Sequence, residues 1–503
     1  MGINAIFSTA ASSLAAQRIA LDVTGENIAN VNTEGYSRQR VIMDTATPTT
    51  HISGFPLGSG VNVTAVQRMY DNVLNKQIND GVSVQGNSEQ LLSSLKQLEP
   101  YFNELTGNAL GDAMQGLADA WQSLSVNPAG LAERQAVLGR ATILTDTFHQ
   151  INNSITNVQT FADQNITSVT TDITQKAKEI ANLNSQILTT EQASGNANEL
   201  RDKRDLLIQQ LSKQVGVTFA EQPNGTVTVK LLGSPPTGGQ DLVNGINYAT
   251  VYTNQVANTP VTANTVRITA TGNPPPANTP ATDANVTTTI GGPNNSLGQL
   301  GGLLIARDST GPGGMPGYLA KLDELAYNLA QQTNAVHAVG WNLNNATGID
   351  FFSPVTATAP PAPAATFAGY SGLINVAISD SNAIAAADTN PLTGGTGNNK
   401  NALKLKDLSN TPVAFSGGVL VSTGSYYNAL VSSVGVDVQS ATNQAAQNAG
   451  FVRQLSTLRE SNSGVSLDEE LINLMKYQKA FEGAARVINT ATQMLDTIMG
   501  LIP

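Results

Sequence analysis

The residues able to do chemistry are few and scattered. The three histidines, His51, His149 and His337, lie far apart, and none has a neighbour at metal-ligand spacing. Cysteine is absent. The glycine-rich loop from Gly311 to Gly317 lacks the Gly-Lys-Ser/Thr ending of a phosphate cradle. Its two prolines also remove backbone donors, so it reads as a hinge before a helix. Asn165, Asn285 and Asn345 each open a glycosylation sequon, a pattern that arises by chance in a chain this rich in Asn and Thr. The densest carboxylate group is Asp468-Glu469-Glu470. Preceded by Ser466, it reads as a capping box, in which the Ser466 hydroxyl and the Glu469 carboxylate satisfy backbone donors at a helix start. No acid, base, nucleophile or metal constellation emerges, and neither a catalytic residue nor a cofactor is expected.

Composition narrows the class further. The chain has 503 residues, 40% hydrophobic, 5% aromatic and 13% charged, with a net charge of −11. An acidic chain offers no basic face to nucleic acid. No apolar run approaches the roughly 18 residues of a membrane span. The N-terminus carries no early Lys or Arg and fails the myristoylation pattern at Ile6, so export, if it occurs, is expected without a cleaved leader. Freedom from cysteine suits a protein exported unfolded.

The elements that must do the work are therefore helices. Near the C-terminus, Leu467, Leu471, Leu474, Phe481, Ala485, Ile488, Leu495 and Met499 follow a heptad rhythm interrupted by Gln478 and Thr492. Near the N-terminus, Phe7, Ala10, Leu14, Leu21 and Ile28 do the same, interrupted by Gln17 and Thr24. Such seams ask for helical partners, and two unsatisfied ends predict pairing with each other or with other copies. The fold expected is α+β and multidomain: a long helical bundle or coiled-coil body formed by both chain halves, with β-rich inserted domains. The boundaries read as 1–70 for the axial helix with short strands, 71–218 for the first half of the helical body and 219–300 for a β-rich insert. The body then continues at 301–349, with a helix from Gly317 to about Asn344. A polar β or irregular insert follows at 350–425, then 426–465 closes the body and 466–503 is the C-terminal axial helix. Both inserts are expected to face solvent.

One segment carries more than a fold. The run Ala29-Asn30-Val31-Asn32-Thr33-Glu34-Gly35-Tyr36-Ser37-Arg38-Gln39 resembles the N-terminal motif of flagellar rod, hook and hook-associated proteins. Its motif residues are Ala29, Asn30, Thr33, Gly35 and Tyr36, and the Tyr-Ser-Arg-Gln continuation is most similar to the hook-associated members. Ser463 to Glu470, Tyr477 to Phe481, Ala485 to Ile488 and Met494 to Thr497 resemble the C-terminal helix of that family. Arg134 to Leu138, Leu200 to Asp205 and Leu300 to Leu304 resemble its helical domain. The resemblance implies a structural role at the hook–filament junction of a secreted, extracellular assembly. It implies self-association into a homo-oligomer, contacts with hook protein and hook-associated protein 3, and an export chaperone on the C-terminal helix. Nucleic acid and membrane insertion are not expected. The assembly surface would be Leu14, Leu21 and Ile28 against Leu467, Leu471, Leu474, Phe481, Ile488 and Leu495. Hook protein or another axial protein is the nearest alternative, and a surface adhesin or glycan-binding protein is the alternative from a different class.

Overall fold

The computed structural model describes residues 3–500 apart from 48–49, 53–54, 103–109, 194, 233–239, 257–259, 292–296 and 354–366. The Pro/Ala run at 359–363 and Ser194 lie outside the described residues, as does the side chain of His51. Helix α1 (Ile3–Ala29) is followed by β1 (Gln39–Thr45), the short pair β2 (Thr50–Ile52) and β3 (Phe55–Leu57), and β4 (Val61–Arg68). β1 and β4 pair antiparallel from Gln39↔Arg68 to Thr45↔Val61. Four helices come next: α2 (Asn72–Leu98), α3 (Leu110–Val126), α4 (Leu131–Gln192) and α5 (Asn198–Gln214). Asp71 caps α2 by accepting from the Val73 and Leu74 N–H groups, and Asn127-Pro128 separates α3 from α4.

The chain then turns to strands. β5 (Val217–Glu221), β6 (Val227–Leu231), β7 (Asp241–Asn244) and β8 (Asn247–Tyr248) form one antiparallel sheet in sequence order. β9 (Val251–Asn254), β10 (Thr265–Ile268) and β11 (Ala284–Asn285) form a second, followed by α6 (Thr287–Gly291), α7 (Gly298–Asp308) and α8 (Met315–His337). Beyond α8 come α9 (Pro391–Gly394), α10 (Lys400–Asp407) and a small pair, β12 (Val413–Phe415) with β13 (Val419–Val421). Two long helices, α11 (Thr423–Ser463) and α12 (Leu467–Gly500), end the described chain. The architecture is α+β and multidomain, with a helical body drawn from both halves of the sequence.

The spine is α4, whose 62 residues span about 93 Å at ~1.5 Å per residue. Its first half, through Val137, Leu144, Phe148 and Ile155, enters one core with Leu98, Trp121, Leu322, Leu325 and Leu430. Its second half carries a strict heptad of Ile166, Ile173, Ile180 and Ile187, all fully buried. That stripe faces α5 and the sheets, so here the seven-residue rhythm seats β structure on a helix. Buried Asn184 fixes the first sheet by donating to the Val227 and Gly245 carbonyls and accepting from the Val227 N–H (2.9, 2.7 and 3.1 Å). Buried Arg307 does the same for the second, reaching Asp163 (2.6 Å) and the Asn264 carbonyl (2.8 Å).

Two expectations need correction. The helix expected over 317–344 stops at His337, because the chain must turn back sharply. A Cβ on Gly340 would sit 2.1 Å from the Asn401 amide, and Asn345 takes a left-handed φ of 56°. The described residues of the polar stretch 350–425 do not form an outward insert. Phe351, Phe352, Phe367, Tyr370, Ile384, Leu405 and Phe415 are buried in the main core, and the irregular spacing of these residues hid them from a periodicity search.

Phe148 lies at the centre of the main core, completely buried. Phe148→Ala is expected to lower unfolding free energy by about 3–5 kcal/mol, whereas Val436→Ala on the exposed face of α11 should change it by less than about 0.5 kcal/mol. Denaturation midpoints of the two variants measure the difference.

Candidate functional site at the terminal helix pair

The two ends of the chain pair antiparallel. Asn27 Nδ2 donates to Glu470 Oε2 (3.1 Å), bringing the end of α1 to the start of α12 across 443 residues of sequence. Ala491 lies about 31 Å further along α12 at ~1.5 Å per residue and is still only 2% exposed. Since α1 is the helix packed along α12, it must run back beside it. The buried residues of α1 are Ala10, Ala16, Ala20, Thr24 and Asn27, and those of α12 are Glu470, Ala484 and Ala491, with Tyr477 half-buried in the same row. The seam is therefore made mainly of small residues. Thr24, read from the sequence as an interruption, faces it and returns its hydroxyl to the Ala20 carbonyl (2.8 Å).

This corrects the expected leucine-to-leucine seam. Leu14, Leu21, Ile28, Leu474 and Ile488 are half-buried beside the contact, while Leu467, Leu471, Phe481 and Leu495 remain 37–48% exposed. At about 100° per residue, Leu14, Leu21 and Ile28 sit a quarter-turn or so round α1 from Ala20. Leu467 and Leu471 sit similarly round α12 from Glu470, Ala484 and Ala491. In an antiparallel pair, offsets of the same sense fall on the same side. Both leucine stripes therefore line one flank, and that flank is open. The opposite flank is covered by the β1–β4 hairpin, where the Val61 N–H reaches Ser12 Oγ (3.4 Å) and Gly60 lies against Thr9 and Ser12.

The pair is joined to the body by a polar knot built on the recognised motif. After Ala29 ends α1, Asn30 donates to the Glu26 carbonyl (3.0 Å), and Thr33 bonds Asn30 through both hydroxyl and backbone (3.1 and 2.9 Å). Gly35 has a φ of 81° and a Cβ there would press on Leu206 at 3.1 Å, so both conformation and space call for glycine. The Tyr36 hydroxyl donates to Asn27 Oδ1 (2.9 Å). Burial, with Glu26 and Asp202 nearby, pushes that phenol above its ordinary value and keeps it a donor. Asn27 is saturated, since it also exchanges both backbone bonds with Gln39 (2.9 Å each). Ser37 N–H donates to Asp202 (2.9 Å), and Arg68 clasps Asp202 and Asp205 (2.9 and 2.6 Å) while lying 4.1 Å above the Tyr70 ring. Burial raises the Asp202 pKa from its ordinary value despite these donors. Burial opposes the charge on Arg68, but Asp205 and Asp202 outweigh it and raise its pKa.

Arg38 closes the knot. Its N–H donates to the Ser463 carbonyl (2.9 Å), and its guanidinium reaches Glu469 and Glu470 (2.7 Å each). The expected capping box is accordingly not formed. Glu469 turns to Arg38, and Ser466 contributes its carbonyl, which accepts from the Glu470 N–H (2.9 Å). Asn27 and Arg68 were not singled out from the sequence, and Asp202 and Glu470 were read only as members of the run Leu200 to Asp205 and of the carboxylate group at a helix start. The one available signal was the charge alternation Arg201 to Asp205, which matched the family without revealing its partner. Among the described residues no group of three His, Cys, Asp or Glu is placed to hold a metal. His337 is an interior hydrogen-bonding residue, bridging the Ile349 carbonyl and the Ala385 N–H (2.7 and 2.9 Å), with its pKa lowered by burial.

Glu470 is only 2% exposed. Arg38→Ala leaves its charge uncompensated and should cost about 3 kcal/mol, whereas Arg38→Met combined with Glu470→Met should recover most of the loss. Denaturation midpoints and hydrogen exchange of the first turns of α12 read both effects.

Comparison with known proteins agrees with this geometry. The family description "Flagellar hook-associated protein FlgK helical domain" matches residues 95–352, just over half the chain. Residues 459–501 match "Flagellar basal body rod FlgEFG protein C-terminal", and 7–36 match "Flagella basal body rod protein", the two segments that pair here. The chain is 28% identical to flagellar hook-associated protein 1 of Bacillus subtilis strain 168, over 98% of this chain and 97% of that one. It is 26% identical to the protein of the same name from Escherichia coli K12, over 99% and 100%. The solved structure of the flagellar hook junction protein FlgK from Burkholderia pseudomallei shares the fold. Its TM-score is 0.64 at 17% identity, over 77% of this chain and all of that one. With its helical domain and both terminal segments so matched, the chain belongs to the flagellar hook-associated protein FlgK family.

Proposed function

We propose that the chain is a structural junction protein of the bacterial flagellum, assembling at the hook tip and connecting hook to filament through its paired terminal helices. The observation that carries this reading is the open leucine-rich flank of the α1–α12 pair. Leu467, Leu471, Phe481 and Leu495 expose large apolar side chains that a free chain gains nothing by exposing. Leu14, Leu21 and Ile28 continue the same strip. In the assembled flagellum, copies of this chain, hook protein and hook-associated protein 3 would cover it, and during export a chaperone would hold the C-terminal helix. The reading places the protein outside the cell after export by the flagellar type III route, and gives it no reaction to catalyse. No helix among the described residues is long and apolar enough to cross a membrane.

Immunogold electron microscopy of intact flagella tests the placement. A single narrow band where hook meets filament is expected; label along the hook, the filament or the cell surface would discard the junction. Leu474→Asp and Phe481→Asp should each abolish incorporation while leaving the helical body folded by circular dichroism, since a charge enters a strip that assembly buries. Normal incorporation of either variant would remove the strip from the interface.

A further inference from the structure

A cavity of about 500 Å³ opens in the helical body between α3, the second half of α8, α10 with the turn after it, and the start of α11. Its size falls among small-molecule sites, which run from roughly 300 to 1,000 Å³. None of its lining residues belongs to the polar knot or to the terminal helix pair. Helix α3 brings two neighbouring stripes to it. Asp112, Gln115, Asp119 and Gln122 form a polar one, and Met114, Leu117 and Trp121 an apolar one, both at helical spacing. Amides and carboxylates alternate along the polar stripe, and Gln115 donates to Asp119 (2.8 Å).

Two lining side chains are buried yet keep a polar group unmatched. Trp121 is only 2% exposed, with its ring against Phe351 (5.1 Å between centroids), and its indole N–H meets no acceptor among the described residues. Thr423 is only 4% exposed, and its hydroxyl has no hydrogen-bond partner among them either. Thr333, on the same wall, instead returns its hydroxyl to the Leu329 carbonyl (2.8 Å). Buried polar groups are ordinarily paired, so an unmatched donor and an unmatched hydroxyl on one cavity call for a ligand that supplies both roles. Charge restricts that ligand. An anion would meet the carboxylates of Asp112 and Asp119, while Lys406, the one cation among the described lining residues, is held by Asp407 (3.2 Å). A cation would meet the positive end of the 41-residue α11, whose Thr423 and Gly424 N–H groups no helix carbonyl can reach. A neutral molecule with hydroxyls and an apolar face satisfies every wall, because a hydroxyl both donates and accepts.

We propose that this cavity binds a short neutral saccharide, its hydroxyls on Asp112, the Trp121 indole N–H and Thr423, and its C–H face on Met114 and Leu117. Asp112 and Trp121 lie about 13.5 Å apart along α3 at ~1.5 Å per residue, which leaves room for more than one sugar ring. The site belongs to the helical body and stands or falls apart from the junction reading.

The chain holds two tryptophans, Trp121 and Trp341, so Trp341→Phe leaves Trp121 as the sole indole reporter. The full-length Trp341→Phe protein is titrated with maltose, cellobiose, lactose and chitobiose while Trp121 emission is recorded. At least one of the four should change the emission saturably. In that background, Asp112→Ala at the exposed end of the cavity and Thr423→Val at its buried end should each raise the half-saturating concentration roughly threefold or more, with helix content unchanged. No saturable change with any of the four sugars below about 10 mM would overturn the site, as would an unchanged half-saturation in Asp112→Ala. Saturation by sulfate or spermidine in place of the sugars would overturn the assignment of a neutral ligand.

Discussion

The structure depends on one long-range closure, that of α1 upon α12. Asn27 and Glu470 stand 443 residues apart in sequence and 3.1 Å apart in space. Everything between must be folded so that its two exits meet. The spine α4 brings the chain back to the joint and α5 starts beside it, with Asn196 and Asn198 donating to the Val66 carbonyl (2.7 and 2.9 Å). Closing so large a loop is entropically costly, and the closure is made largely of saturated polar contacts. Polar contacts of this kind give little net energy but are costly to leave half-made, so they fix one geometry.

The same division of labour recurs through the body. Apolar residues supply the cores, and single buried polar residues decide how modules sit upon them. Asn184 and Arg307 each seat a sheet on α4. Arg134, fully buried without an acidic partner in contact, donates to the carbonyls of Pro128, Ser381 and Ile384 (2.8, 3.1 and 2.8 Å). Burial lowers its pKa to about 10. It stitches the start of α4 to the irregular segment after α8, so that a stretch lacking regular structure becomes part of the core.

Much of this was legible in the sequence because it is periodic. The long helices, the turn to a β-rich segment after residue 218 and the coming together of the ends follow from spacing alone. The joint was legible as a motif but not as a mechanism. Gly35 announces a special backbone, yet nothing local says that Leu206 lies against it. Asp202 reads as one member of a charged run until Ser37 and Arg68 are placed beside it. The leucine stripes misled for a physical reason: hydrophobic periodicity marks a face that wants to be buried, not which partner buries it. Alanine, which gives a weak hydrophobic signal, took the intramolecular contact.

That alanine seam governs thickness. Axes of packed helices stand roughly 8–10 Å apart according to the side chains between them, and alanine sets the lower end of that range. A two-helix wall built on alanine is correspondingly thin. Where such walls stand side by side around an axis, a given number of copies at a given outer radius encloses a wider bore than leucine-packed pairs would leave.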